Sequence, residues 1–322
     1  MSDEQFGRRA SLTVAAGATG LDLSELHFRF QISASDSESP NAAVIRVYNL
    51  SSDTMRQIQG EFTRVVVQAG YENASFGVIF DGTIKQFRIG KENATDRYLD
   101  ILAAENDLEY NFGVCNATLA AGSTAKDRIA AAAAGLGLKV GVLDASLDFT
   151  GGTLPRGKVL WGMGKLAMRC AATSMGATWT MQDGKINVTS LKGYLPGEAV
   201  VLNAGTGVIG IPEQTDQGIK VRTLLNPRLK IGGLVQIDNA SINQMLQADL
   251  RADGTFTERN LPAGQIVYNS RAGLTFPASV AADGLYRVLV IEYAGDTRGQ
   301  DWYCDLICLA VDPSSKTVQA TL

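Results

Sequence analysis

Histidine is almost absent: His27 is the single one in 322 residues. A catalytic histidine needs a nucleophile or a carboxylate brought within reach. His27 opens an alternating run, on the face opposite Phe28 and Phe30, and no motif supplies such a partner. Cysteine is scarce too, with Cys115, Cys170, Cys304 and Cys308. No C-x-x-C pair occurs, which argues against a structural zinc site. In a strand, Cys304 and Cys308 would lie roughly 13 Å apart at about 3.3 Å per residue. A disulfide needs Cα atoms about 4.4–6.8 Å apart. Four free thiols, buried in a reducing compartment, are expected. No run of about 18 uncharged apolar residues appears, so no transmembrane helix or membrane insertion is expected. The acidic start Met1-Ser2-Asp3-Glu4 and the Gly-broken apolar stretch after Arg8-Arg9 do not read as a signal peptide. Manufacture in a cytoplasm is expected. Positive charge is not in excess: 29 Lys and Arg face 33 Asp and Glu, a net −4. That excludes a mainly electrostatic nucleic-acid binder.

What the chain does have is strand. The alternation of Phe28, Phe30 and Ile32 with His27, Arg29 and Gln31 predicts a half-buried strand. Runs at 44–50, 64–69, 79–87 and 98–103 follow, with Gly82 as a bulge position. Ser51-Ser52-Asp53-Thr54 predicts a short helix with a Ser N-cap. From about residue 113 the character changes. Thr124 and Asp127 form a capping-box start for an Ala-rich helix, which Gly135 and Gly137 end. A strand at 139–143 follows. A second helix is predicted from near Val159, with Met163, Leu166, Ala167, Cys170 and Ser174 on its inner face. Strands at 177–181 and 185–188 flank Asp183-Gly184, a hairpin signal. Past Gly205-Thr206-Gly207 the chain returns to short strands cut by Gly and Pro. It closes on a long hairpin, 284–293 and 301–309, around the turn residues 295–299. In its second arm Trp302, Cys304, Leu306 and Cys308 share one face.

Chemistry-bearing motifs are thin. Gly162-Met163-Gly164-Lys165 lacks the upstream Gly and the following Ser or Thr of a phosphate loop. Gly135-Leu136-Gly137 follows a helix and precedes a strand, the reverse of a dinucleotide fingerprint. The acidic pairs Glu105 and Asp107, Asp249 and Asp253, and Asp296 and Asp301 read as solvated turns. Residues 249–254 lack the ligand series of a calcium loop. No catalytic, cofactor or metal residues are assigned, and no enzyme activity is expected.

The order of several segments resembles the baseplate hub family of contractile-tailed bacteriophages. These are Ile-Gly-Ile-Pro at 209–212, Leu-Leu-Asn-Pro at 224–227, Gly-Gly-Leu-Val at 232–235 and Gly-Asp-Thr-Arg-Gly-Gln-Asp-Trp-Tyr at 295–303. Thr178 to Lys185 and Arg46 to Ser51 look similar too. The resemblance implies a mainly β chain with two tube-like β-barrels, 1–112 and 206–322, flanking a small α+β domain at 113–205. It implies a structural homotrimer whose six barrels join the sixfold tail tube to a threefold spike around a central channel. Tube proteins above, the spike below, baseplate wedge components and the tape measure protein are the implied partners. The genome would pass through the lumen without specific binding. The implied location is the virion tail baseplate, assembled in the host bacterial cytoplasm. Two alternatives stand beside it: another tail protein, such as a distal tail or tube-initiator protein, and a β-rich cell-wall hydrolase.

Overall fold

The computed structural model describes residues 5–311 apart from 18, 145, 191–192, 216–217, 239–247, 251–255 and 259–283; at 248–250 and 256–258 the backbone alone is considered. The first region carries β1 (Arg8–Ala16), β2 (Thr19–Asp22), β3 (Phe28–Ser35) and β4 (Ala42–Tyr48). Helix α1 (Ser52–Glu61) then leads to β5 (Arg64–Tyr71), the long β6 (Phe76–Lys91), β7 (Arg97–Ala104) and the short α2 (Asp107–Phe112). The middle holds β8 (Val114–Leu119), α3 (Ala125–Gly135), β9 (Lys139–Leu143), β10 (Lys158–Met163), α4 (Gly164–Thr173), β11 (Ala177–Gln182) and β12 (Lys185–Ser190). The last region has β13 (Val200–Leu202), β14 (Val208–Gln214), β15 (Ile219–Leu224) and β16 (Leu234–Ile237). It continues with β17 (Ala248–Leu250), β18 (Phe256–Glu258), β19 (Leu285–Asp296) and β20 (Trp302–Ala310).

The chain is mainly β, with helices concentrated in an α+β middle. The flanking β regions do not close as separate barrels among the described residues. They join in one 13-stranded sheet with the path β14-β15-β20-β19-β3-β4-β7-β6-β5-β1-β2, and β13 and β16 attach beside β19. The seam is the antiparallel pair β19·β3, from Val290↔Ser35 to Asp296↔Arg29. Both strands alternate apolar and polar residues, so their buried faces align only in this register. One core serves both regions: Phe28, Phe30, Ile45 and Leu99 pack in the same cluster as Val221, Tyr286, Ile291 and Trp302.

A second core belongs to the middle segment. Ile129, Leu136 and Met168 pack there against Trp179, Ile186 and Val188. Helices α3 and α4 lie against each other and against the sheet β11-β12-β9. The α3 start is the capping box expected, with Asp127 N–H donating to Thr124 Oγ1 at 3.3 Å and Thr124 N–H to Asp127 Oδ2 at 2.8 Å. Ser51 caps α1 by accepting from Thr54 N–H at 3.0 Å. The turn Asp183-Gly184 takes positive φ at both residues, +52° and +70°, as a type I′ hairpin requires.

Three expectations are corrected. Residues 158–163 are strand β10, paired with β8, not the opening of a helix. Helix α4 begins at Gly164, and its buried face is Gly164, Met168, Ala171 and Ala172. Leu166 and Cys170 point outward. The cause is close helix contact: a Cβ on Gly164 would meet Leu136 Cδ2 at 2.8 Å. Gly82 is no bulge, since it pairs regularly with Val65, and the shifts fall at Val67/Gln68 and Ile84/Gln86. A Cβ at Gly82 would meet the Phe80 ring at 2.6 Å and the Ala104 carbonyl oxygen at 2.8 Å. β1 was not anticipated as a strand; its Leu12 and Val14 alternate into the core.

Candidate assembly surfaces

The polar face of the large sheet carries a row of charge. Asp296, Arg29, Arg46, Asp100 and Arg88 stand opposite one another on β19, β3, β4, β7 and β6. Arg29 Nε donates to Asp296 Oδ2 at 2.6 Å. Arg46 holds Asp100 through two bonds, at 2.7 and 3.1 Å. Elsewhere on the sheet Arg222 holds Asp305 at 2.7 and 2.8 Å, and Arg64 Nε donates to Asp81 at 2.6 Å. Forked guanidinium–carboxylate pairs fix both partners geometrically. Four arginines on this sheet are therefore neutralised in place.

His27 lies at the end of that row, and its Nε2 is 2.8 Å from Asp296 Oδ1. Its ring stacks on Tyr48, with centroids 4.4 Å apart. Burial alone would raise the Asp296 pKa. Donors from the Arg298 backbone, Arg29, His27 and the Gly299 backbone outweigh it and hold the carboxyl at about 2. A cleft of about 410 Å³ opens here, lined by His27, Arg29, Tyr48, Glu92, Asp96 and Arg298 among others. Glu92 is held below the usual range by the Tyr48 hydroxyl and then by arginines, and Asp96 by Asn49 and Asn93.

The remaining sequence candidates are dispersed. Glu105 is buried, and burial pushes its carboxyl up to about 7 while the Asn41 amide donates to it at 2.8 Å. Asp107 turns away to Lys85, at 2.8 Å. Asp301 contributes its backbone carbonyl, which accepts from Asp296 N–H. Asp249 is seen as backbone in β17, and Asp253 lies outside the described residues. Gly162 to Lys165 spans the β10–α4 junction, and Gly135 packs on Cys115, where a Cβ would approach to 2.6 Å. Among the described residues, no group of three His, Cys, Asp or Glu could hold a metal ion.

Two expected results follow. Glu105 binds its proton more tightly folded than unfolded, so stability contributed near pH 5 is lost as pH rises through about 7. Denaturation midpoints should fall from pH 5 to pH 8, and Glu105→Gln should flatten that slope. All four thiols are free; Cys115, Cys304 and Cys308 are buried and Cys170 is exposed, which corrects the expectation that all are buried. Burial pushes Cys304 and Cys308 up to about 12. A thiol reagent should therefore titrate one cysteine rapidly in native protein and four after denaturation without reductant.

Sequence reasoning missed two features. Arg287 and Asp36 form a buried ion pair, and Arg287 Nη1 also reaches the Ser190 carbonyl at 3.4 Å. One side chain thus ties all three regions together, and no local pattern signals that. The second is an open apolar face on the β8–β10 ribbon, where Val114, Val159, Trp161 and Met163 are exposed.

Paired charge on the sheet face, three buried thiols and an exposed apolar ribbon face characterise this mainly β chain. A family model, baseplate hub gp41, matches residues 25–250. The chain belongs to that family and is a structural component of the phage tail baseplate. Solved structures share its fold at low identity. The 43 kDa tail protein of prophage MuSo2 from Shewanella oneidensis is 8% identical with TM-score 0.54, covering 94% of this chain and 98% of that one. A tail protein of Neisseria meningitidis MC58 is 10% identical with TM-score 0.53, covering 94% and 96%. The E. coli c3393 protein, a type VI secretion component, is 8% identical with TM-score 0.52, covering 93% and 76%. No curated protein matches the sequence.

Proposed function

We propose that the chain is a trimeric hub joining the sixfold tail tube to the threefold spike around a central channel. The observation that carries this is the run of eight strands from β14 to β6. It contains both β regions and leaves two unlike stretches of open strand, a terminal strand at one end and half of a strand at the other. At one end is β14, bulged between Ile209 and Glu213. At the other is the outer half of β6, where residues 86–91 pair with β7 but with no strand on the far side among the described residues. Two unlike surfaces are what a head-to-tail interface needs, and such an interface makes a ring when its rotation closes. Each chain brings two β halves, so three chains supply six, matching a sixfold neighbour.

The polar sheet face suits the channel side. Four of its arginines are paired, and Gln31, Ser33 and Ala42 continue the same face, so a passing polyanion meets less free positive charge than the number of arginines suggests. The same reading divides the chain into units 1–112, 113–205 and 206–322; the separate core of residues 129–188 supports the middle unit, while β13 joins the large sheet. Tube proteins, spike, wedge components and the tape measure protein are the neighbours in this reading, with assembly in the host cytoplasm. The chain acts without catalysis: the open cleft holds ionised carboxylates, and Glu105 is buried away from it. Incubation with peptidoglycan should release no soluble fragments. The deciding measurement is the symmetry of the assembled tail tip. Three copies, each giving both β halves to one ring, are expected. Six copies in a true sixfold ring would reject the hub in favour of a tube-type protein.

A further inference from the structure

The two β regions repeat one unit. The first contains the strand path β3-β4-β7-β6 and the last β14-β15-β20-β19, each made of two antiparallel pairs laid side by side. Their registers match. Arg46 stands opposite Asp100, and Arg222 opposite Asp305. Two residues before each aspartate is a tyrosine, and the arginine lies over its ring, at 3.7 Å for Tyr98 and 4.3 Å for Tyr303. The long strands shift register at the same point, β6 against β7 between Ile84 and Gln86, and β19 against β20 between Val288 and Val290. Arg88 therefore corresponds to Glu292, since they face Asp100 and Asp305. On their other side both strands change neighbour part-way. Leu285 to Arg287 pair with β16, and Val290 to Asp296 with β3. Phe76 to Thr83 pair with β5, but residues 86–91 have no second neighbour among the described residues.

The repeat indicates the occupant. The counterpart of β3 is β14, because Arg29 and Ile209 face the equivalent Arg46 and Arg222. The outer side of β14 has no strand beside it among the described residues. The two open stretches lie at opposite ends of one run, so each can meet only another copy. Burial records the gap. Tyr293 is 4% exposed in the β19·β3 seam, whereas its counterpart Ile89 is 57% exposed. Ile89 stands opposite the buried Leu99, in the core-facing register, and an apolar residue left open there lacks a neighbouring strand. Charge agrees. Moving the β19·β3 register onto β6 and a second copy's β14 puts Glu92 opposite Ile209, and Arg88 opposite Glu213. Arg88 and Glu213 are exposed, and neither has an ion-pair partner among the described residues. Opposite charges directly across two strands favour their pairing. Pro212 offers no N–H, so this seam is one donor short of β19·β3 and leans more on the charge match.

We propose that the outer half of β6 in one copy pairs antiparallel with β14 of a second copy, with Arg88 opposite Glu213. The proposal rests on the head-to-tail reading above and names its contact. Residues directly opposite on antiparallel strands have Cα atoms about 4.5–5.5 Å apart, within reach of a disulfide. Arg88→Cys and Glu213→Cys are therefore combined in a Cys170→Ser background, and assembled tails carrying that chain are oxidised. Most of the chain should run as covalently linked multimers on a non-reducing gel. Either single cysteine should give none, and neither should Arg88→Cys with Ile209→Cys, which lies about 13 Å out of register. Absence of linkage in tails whose tip shows three copies would overturn the pairing and leave the hub reading standing. A ladder reaching six copies would uphold the pairing and reject the threefold count. In a second measurement, Arg88→Glu should lower the yield of assembled tails severalfold, and adding Glu213→Arg should restore it. Melting temperatures of the purified variants should stay near wild type, because both side chains are exposed. An unchanged yield, or a loss that the second substitution does not recover, would overturn the pairing.

Discussion

Trp302→Ala is expected to cost about 3–5 kcal/mol, the usual range for truncating a buried Trp. Trp302 is 2% exposed and packs edge-on against Phe30, with ring centroids 5.7 Å apart. Arg8 lies over the same ring at 5.7 Å. The residue thus fills the space where β20, β3 and β1 converge, and its loss opens a cavity shared by both β regions. Its indole N–H has no hydrogen-bond partner. Trp302→Phe should therefore lose packing without orphaning an acceptor, and should cost clearly less than Ala. Urea denaturation of the three proteins checks the order. A change within about 0.5 kcal/mol for Ala would place the side chain at the surface instead.

Arg287→Met should be comparably severe, because it strands a charge. Breaking a buried pair by removing one partner typically costs about 3–5 kcal/mol. The Arg287 side chain is 3% exposed and that of Asp36 15%. Burial already pushes the Asp36 carboxyl up, and Arg287 partly offsets the shift. Without the guanidinium, Asp36 would take up a proton more readily. The loss should thus be larger at pH 8 than at pH 5. Asp36→Asn added to Arg287→Met should recover part of the stability, since it removes the stranded charge. A double variant no better than the single one would mean that Arg287 acts through its other contacts.

Local signals in the chain were legible and distant ones were not. The closing hairpin could be read because Trp302, Cys304, Leu306 and Cys308 alternate with partly exposed residues, and they line the core in the fold. The α3 cap and the Asp183-Gly184 turn could be read because their bonds close within three residues. The β10 strand was mistaken for helix because Val159, Leu160, Trp161 and Met163 fit either period over so short a run. The phase of α4 was misjudged because its inner face is built from Gly and Ala, which carry little hydropathy signal. The seam β19·β3 and the Arg287–Asp36 tie join residues about 250 positions apart, and no window along the sequence contains both partners. The candidate surfaces share that limit. The ribbon face exists only once β8 and β10 pair, and the neutralised arginines exist only in register.

The seam also sets a timetable for synthesis. β3 has β4 on one side early, but its other side waits for residues 285–296. At roughly 5–20 residues per second on the ribosome, the 250 residues between Ser35 and Leu285 take about 12–50 s to emerge. For that interval a nascent strand of Phe28, Phe30 and Ile32 offers unpaired backbone to any other chain nearby. Adjacent ribosomes on one message would hold several such edges close together. Holding back premature strand exchange is thus a demand the topology places on the translating cell.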